Sequence, residues 1–291
     1  MKIQKLLPQA LKGLAALALT SAWLTAAATE PCGDFGECKV LIEINSTDGD
    51  IGFHFLGDGD ELVKMEITDP DGQKVFTDKA KGPLREQTMT ETFLESAEPL
   101  CWNDPEADED EDIVTLEDFV DLWTPGLYVF SGLGAEGEMA FGSTMLTFVL
   151  PPAPAEVEFE LEEEDEGEYE GEISWSFGDD LGNCTPAGAY PDGVELAGPG
   201  DIKLWEVVVE PDYDDEEEPG LAAMYNSLTH VVRIPGGAAE FEVEIPDDYL
   251  GNFPANTPLK VEVGAITWDD NATFTEIGDL CVTPDGCEDD D

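Results

Sequence analysis

The side chains able to do chemistry in this sequence are two histidines, 68 acidic residues and six cysteines. His54 stands in "IGFHF" and His230 opens "HVVRIP". Neither has zinc-ligand spacing or a neighbouring nucleophile motif, and no G-x-S-x-G, Walker loop or dinucleotide glycine fingerprint occurs. Both histidines read as strand-face residues. Paired carboxylates of the kind glycosidases use are too abundant in this chain to single any pair out. The expectation is a protein without catalytic residues.

Calcium is the metal such carboxylates suit, because it takes hard oxygen ligands. "DGDIGFHFLGDGDE" sets Asp48, Asp50, Asp58 and Asp60 at the two ends of one short strand, and these are the calcium candidates. The full loop pattern, with its glycine and a glutamate at position twelve, is absent. "DEDED" from Asp108 lacks the glycine, and its twelfth position is Phe119. The competing account is that Asp-Gly pairs make tight hairpin turns. Calcium is the one cofactor left open.

The elements that must position these groups begin after an expected signal peptide, residues 1–28. Lys2, Lys5 and Lys12 precede the apolar run "LAALALTSAWL", and Ala26 and Ala28 offer a cleavage site. The run is shorter than the ~20 residues of a spanning helix. Cys32 follows Thr29, Glu30 and Pro31, which is no lipidation motif. The expectation is an exported, periplasmic or extracellular protein with no membrane insertion. Without the three signal lysines the chain carries nine Lys+Arg against 68 Asp+Glu, a formal charge of −59. Such a field repels nucleic acid and anionic lipid. It suits the salty surroundings of a marine or halophilic bacterium, where screening is short-ranged.

Period-two alternation bounded by turns dominates the first half, 29–150, and suggests a β-sandwich. "CKVLIEIN", "IGFHF", "LVKMEIT", "QKVF", "QTMTETFLES", "PGLYVFSG" and "EMAFGSTMLTFVL" read as strands. "TLEDFVDLW" reads as one short helix, with Thr115 and Asp118 at its start and Leu116, Phe119, Val120 and Trp123 at helical spacing. "DPEADEDED" reads as an acidic loop. "VLPPAPAEV" holds three prolines in four residues and reads as a semi-rigid hinge, 151–155.

The next stretch, "AEVEFELEEEDEGEYEGEISWSF", looks like a charged linker but keeps one parity. Val157, Phe159 and Leu161 alternate with glutamates, and so do Tyr169, Ile173, Trp175 and Phe177. Two strands explain that pattern, acidic outside and apolar inside. With "IKLWEVVVE", "THVVRIP", "AEFEVEIP", "PLKVEVGAI" and "TFTEIGDLCV" this makes seven strands. Trp175 on the second, Trp205 on the third and "FPANTPLKVEVGAI" before the sixth make 156–283 resemble a fibronectin type III domain. Leu259 stands where that family usually places a corner tyrosine, and the segment Gly178 to Asp201 is longer than its usual second loop. The first half resembles bacterial immunoglobulin-like domains in general style. An acidic tail, 284–291, follows.

The resemblance implies recognition through the loops of one pole. Tyr190, Trp268, Asp269 and Asp270 are then the ligand-loop candidates, against the alternative that Trp268 ends a core strand. Trp102 and Trp123 are expected in the core or at its rim. The same resemblance constrains the cysteines, which an exported chain tends to bridge. It puts Cys184 near the hinge and Cys281 about eight residues along the last strand, ~26 Å away. Bridged Cα atoms stay within ~7 Å. The implied pairs are Cys32–Cys38, Cys281–Cys287 and Cys101–Cys184, the last joining the halves. A Cys38–Cys101 bridge is the alternative.

The expectation as a whole is an all-β chain of two tandem β-sandwich domains: an exported, non-catalytic binding, adhesion or envelope-associated protein with a protein or glycan partner. The alternatives are a calcium-dependent extracellular structural protein and, more distantly, a hydrolase or the accessory module of one.

Overall fold

The computed structural model describes residues 32–102, 113–165, 168–214, 216–237, 240–254 and 256–282. The expected signal peptide, the acidic loop Asp104 to Asp112, the acidic tail and Cys287 lie outside them. The fold is all-β. Among the described residues, no helix is long and apolar enough to cross a membrane.

The first half runs β1 (Glu37–Asn45), β2 (Asp50–Thr68), β3 (Lys74–Lys79), α1 (Pro83–Gln87), β4 (Met89–Glu95), α2 (Leu116–Leu122), β5 (Gly126–Gly134), β6 (Met139–Leu146) and β7 (Val149–Leu150). Val40, Ile42 and Ile44 on β1, with Ile51, Phe53 and Phe55 on β2, are buried, as alternation requires. Between "IGFHF" and "LVKMEIT" the structure differs from the expected turn. Gly57-Asp58-Gly59-Asp60 stays inside one long strand, which bends at Glu61 (φ 53°). The first part of β2 pairs with β1 and β4, the second with β3 and β5. The glycines permit the bend, since a Cβ at Gly57 would meet Met65 Sδ at 2.4 Å. Helix α2 starts as its sequence indicates: Thr115 Oγ1 accepts from Asp118 N (3.2 Å), and Leu116, Phe119 and Val120 are buried.

The second half runs β8 (Ala155–Asp165), β9 (Glu168–Ser176), β10 (Glu195–Leu196), β11 (Ile202–Pro211), α3 (Pro219–Tyr225), β12 (His230–Pro235), β13 (Glu240–Ile245), α4 (Asp247–Leu250), β14 (Pro258–Thr267) and β15 (Ala272–Cys281). Three strands, ordered β13-β9-β8, accompany four, ordered β12-β11-β14-β15. One core holds residues of both groups, with Trp175 and Trp205 edge to face at 5.9 Å. Leu259 is buried in that core. A tyrosine of the preceding segment, Tyr249, brings its hydroxyl to Val209 O (2.7 Å) and Leu228 O (2.6 Å).

The halves share one sheet. β15 lies parallel to β1, pairing Glu43 with Ala272, Ile44 with Thr273 and Asn45 with Phe274, so a ten-stranded sheet runs through both. Asn271 is fully buried beside this seam. Its Oδ1 accepts from Ile42 N (2.9 Å), and its Nδ2 donates to Thr147 O (2.9 Å) and Val149 O (3.1 Å).

The prolines read as a hinge are buried and held. Ala153 N donates to Asp180 O (2.8 Å), and Pro154 O accepts from Thr275 Oγ1 (2.8 Å). The long segment after β9 is an anchor: Leu181, Cys184 and Val194 join the core of the first half, and β10 pairs with β7. Cys101 and Cys184 are bridged there (Cα–Cα 5.2 Å), and Cys32 and Cys38 form a second bridge (5.3 Å). Cys281 is also disulfide-bonded; the partner expected for it, Cys287, lies outside the described residues.

Candidate functional site

Where β1 meets β15, the sheet face turned away from the core carries acidic residues from both halves. A cavity of about 320 Å³ opens there, lined by Glu43, Asp50, Glu98, Glu206 and Glu262, with Phe274 among the apolar walls. Phe274 lies flat across Gly264, whose missing side chain makes the room: a Cβ there would meet the ring at 2.3 Å. His54, on β2, sits between Glu43 of β1 and Glu98 of the segment after β4. Its Nδ1 is 4.0 Å from Glu43 Oε2 and its Nε2 is 3.5 Å from Glu98 Oε1. Phe93 packs its ring edge to face with the imidazole (5.7 Å). His54 is 7% exposed, and its Nε2 is buried without a hydrogen bond of ordinary geometry among the described residues.

Crowding of like charge in a partly dry cleft disfavours ionisation. Burial, then the charges of Glu98 and Glu95, pushes the Glu43 carboxyl up to about 7. Burial, then Glu98 and Asp48, pushes Asp50 up to about 7. Glu98 is also raised, by burial and then by Glu95, with His54 opposing. Cations are unevenly shared. Arg233 pairs with Glu206, and Lys260 reaches Glu210, Glu262 and Glu276 at 3.1–3.3 Å. Among the described residues, no Lys or Arg reaches Glu43, Asp50 or Glu98.

The four aspartates singled out from the sequence do not converge. Asp48 lies in the turn before β2 and Asp50 opens that strand; Asp58 and Asp60 lie eight or more residues beyond Asp50, roughly 26 Å or more for an extended chain. Asp50 alone reaches the cavity. Asp48 is occupied in the β1–β2 turn, where Oδ2 accepts from Asn45 Nδ2 (2.9 Å).

The expected ligand loops are largely structural. Tyr190 packs against the first core with its hydroxyl buried. Asp269 Oδ2 accepts from Thr147 Oγ1 (2.9 Å), and Asp270 pairs with Lys203 (2.6 Å) at a left-handed φ of 67°. Trp268 is 67% exposed at the β14–β15 turn, so it does not end a core strand. Trp123 does serve the core, stacked on Phe53 with centroids 3.6 Å apart.

The sequence reading missed a second surface. Leu127 and Val129 on β5, with Met139, Phe141 and Met145 on β6, are 38–53% exposed. Register puts them on one face, because Leu127 pairs directly with Met145 and all share the parity opposite buried Tyr128 and Phe130. The signal was present in "GLYVFSG" and "EMAFGSTML", where apolar residues occupy both parities.

No protein-family model matches the chain, and no curated protein matches it in sequence. Among solved structures the chain is similar to a tetra-tandem repeat in the extending region of a large adhesion protein, at 12% identity and TM-score 0.25. That likeness covers 83% of this chain and 48% of the other. It is also similar to a 1.5-MDa bacterial ice-binding adhesin, at 9% identity, TM-score 0.24 and coverage of 86% and 64%. A third is the human OSCAR ligand-binding domain, at 8% identity, TM-score 0.22 and coverage of 82% and 97%. The chain thus spans less than two thirds of the first two. The all-β architecture rests on the strand order described above, not on these likenesses.

Proposed function

We propose that this chain is an exported, non-catalytic binding or adhesion module of the cell envelope that engages a protein partner through the β5–β6 sheet face. The observation that carries this reading is the apolar row Leu127, Val129, Met139, Phe141 and Met145. A chain of formal charge −56 has carboxylates in excess for covering a sheet. Five large apolar side chains left together on one face mark an interaction surface. The Cys32–Cys38 and Cys101–Cys184 disulfides suit an oxidising compartment. The shared sheet and the Cys101–Cys184 bridge give the face a stiff mount, which lowers the ordering cost of binding. The three-and-four strand order of the second half supports the fibronectin-type-III-like reading.

The test compares wild type with the double variant Phe141→Asp, Met145→Asp for saturable binding to the envelope of the producing cells. Circular dichroism checks that both are folded. The expected result is binding by wild type and at least tenfold weaker binding by the variant. Equal binding by both would remove the apolar face from the reading.

A further inference from the structure

We propose that Glu43, His54 and Glu98 form a binding site for a divalent transition-metal ion of the zinc class, on the wall of the acid-lined cavity beside the β1–β15 seam. One donor atom from each of the three residues lies within 4.8 Å of the others. Around a tetrahedral ion with ligand distances of ~2.0–2.1 Å, donor atoms stand roughly 3.3 Å apart. Glutamate rotamer changes cover the difference without moving the strands.

An acidic cluster alone would be an ordinary solvated surface, and two further observations set this one apart. The His54 Nε2 is buried, 3.5 Å from Glu98 Oε1, and makes no hydrogen bond of ordinary geometry among the described residues. A buried polar atom left in that state is costly, and coordination would satisfy it. The distribution of cations is the second observation. Glu206, Glu262 and Glu276 each have an Arg or Lys, whereas Glu43 and Glu98 have only the imidazole among the described residues.

The donor set selects the metal. One imidazole nitrogen with two carboxylate oxygens suits zinc and its first-row neighbours. Calcium and magnesium prefer oxygen ligands alone. The cavity leaves the remaining coordination positions open to solvent or to an added anion. Because the ligands come from β1, β2 and the segment after β4, the ion would tie that segment to the sheet.

The full chain, stripped with a chelator and then freed of it at pH 7.5, is titrated with zinc chloride and separately with calcium chloride by calorimetry. One saturable equivalent of zinc is expected. His54→Asn and Glu98→Gln should each weaken it by at least the ~10–100-fold that outer-shell changes cost. The chain has only two histidines, so imidazole NMR gives a direct readout on wild type, whatever the variants do to folding. Zinc should move the His54 ring resonances and leave those of His230 in place. Unmoved His54 resonances, or zinc affinity unchanged in both folded variants, would overturn the site. One-site calcium binding that survives His54→Asn would replace it with an oxygen-only site.

Discussion

Asn271 shows how much one side chain can hold when it is fully buried among backbone groups. Its amide serves the Ile42 N–H and the carbonyls of Thr147 and Val149, so it ties β1 to the start of β7 and the residues just before it. Asn271→Ala leaves the buried Ile42 N–H and two partly buried carbonyls without this partner, at ~1–3 kcal/mol for a fully buried group and less for the other two. We expect a loss of about 3 kcal/mol or more in urea unfolding; a loss below about 1 kcal/mol would mean that water replaces the amide. Asp50 is the opposite case, a residue the fold tolerates at a cost. Its carboxyl is raised from 3.8 to about 7 by burial and then by Glu98 and Asp48. A folded value above the unfolded one means that the ionised form is penalised. The penalty is absent below pH ~4 and complete above pH 7. Asp50→Asn, measured in chelator, should therefore stabilise at pH 8 and not at pH 4. The raise alone corresponds to about 4 kcal/mol. Part of the side chain remains in solvent, so about 1–2 kcal/mol is expected after screening. A pH-independent difference would show that Asp50 acts through packing.

At the scale of elements, the Cys101–Cys184 bridge and the segment after β9 act together. The bridge closes an 83-residue separation and lands where Leu181 and Val194 enter the first core. Cys101→Ser with Cys184→Ser should cost about 2–4 kcal/mol. Amide exchange should quicken first across 178–201, and unchanged protection there would assign the anchoring to packing alone. The strands were legible because alternation reports which residues face a core, as Val157, Phe159, Ile173 and Trp175 do. Helix α2 was legible through Thr115 and Asp118, whose bonding is local. The β2 bend was not, because Gly-Asp runs suit turns and bends alike, and only the pairing of Leu62 with Met89 and Gly134 tells them apart. Strand neighbours were not legible either. Ile42 and Asn271 are 229 residues apart, and nothing local to either names the other. The acidic cavity shares that limit: His54 was visible on its strand, but Glu43 and Glu98 become its neighbours only through pairing and loop return.

For the whole molecule, charge acts in a way that no single contact expresses. Twelve Lys+Arg stand against 68 Asp+Glu. Among the described residues, ion pairs engage only a few carboxylates, around Lys39, Lys64, Lys74, Lys203, Arg233 and Lys260. The remainder repel one another across a sheet shared by both halves, so the strain of crowding falls on one connected body. Unfolding relieves that repulsion by separating the charges, and salt relieves it without unfolding. Raising sodium chloride from low salt to ~0.5 M shortens the screening length from tens of ångströms to a few. The melting temperature should therefore rise by several degrees, where 1 kcal/mol corresponds to ~2–4 °C for a chain of this size. Sodium chloride and sodium sulfate at equal ionic strength separate screening from surface exclusion, since sulfate also strengthens apolar burial. A rise in both salts assigns the effect to screening. A rise in sulfate alone, with chloride flat, would mean that the carboxylate coat is already accommodated and that charge crowding does not limit this fold.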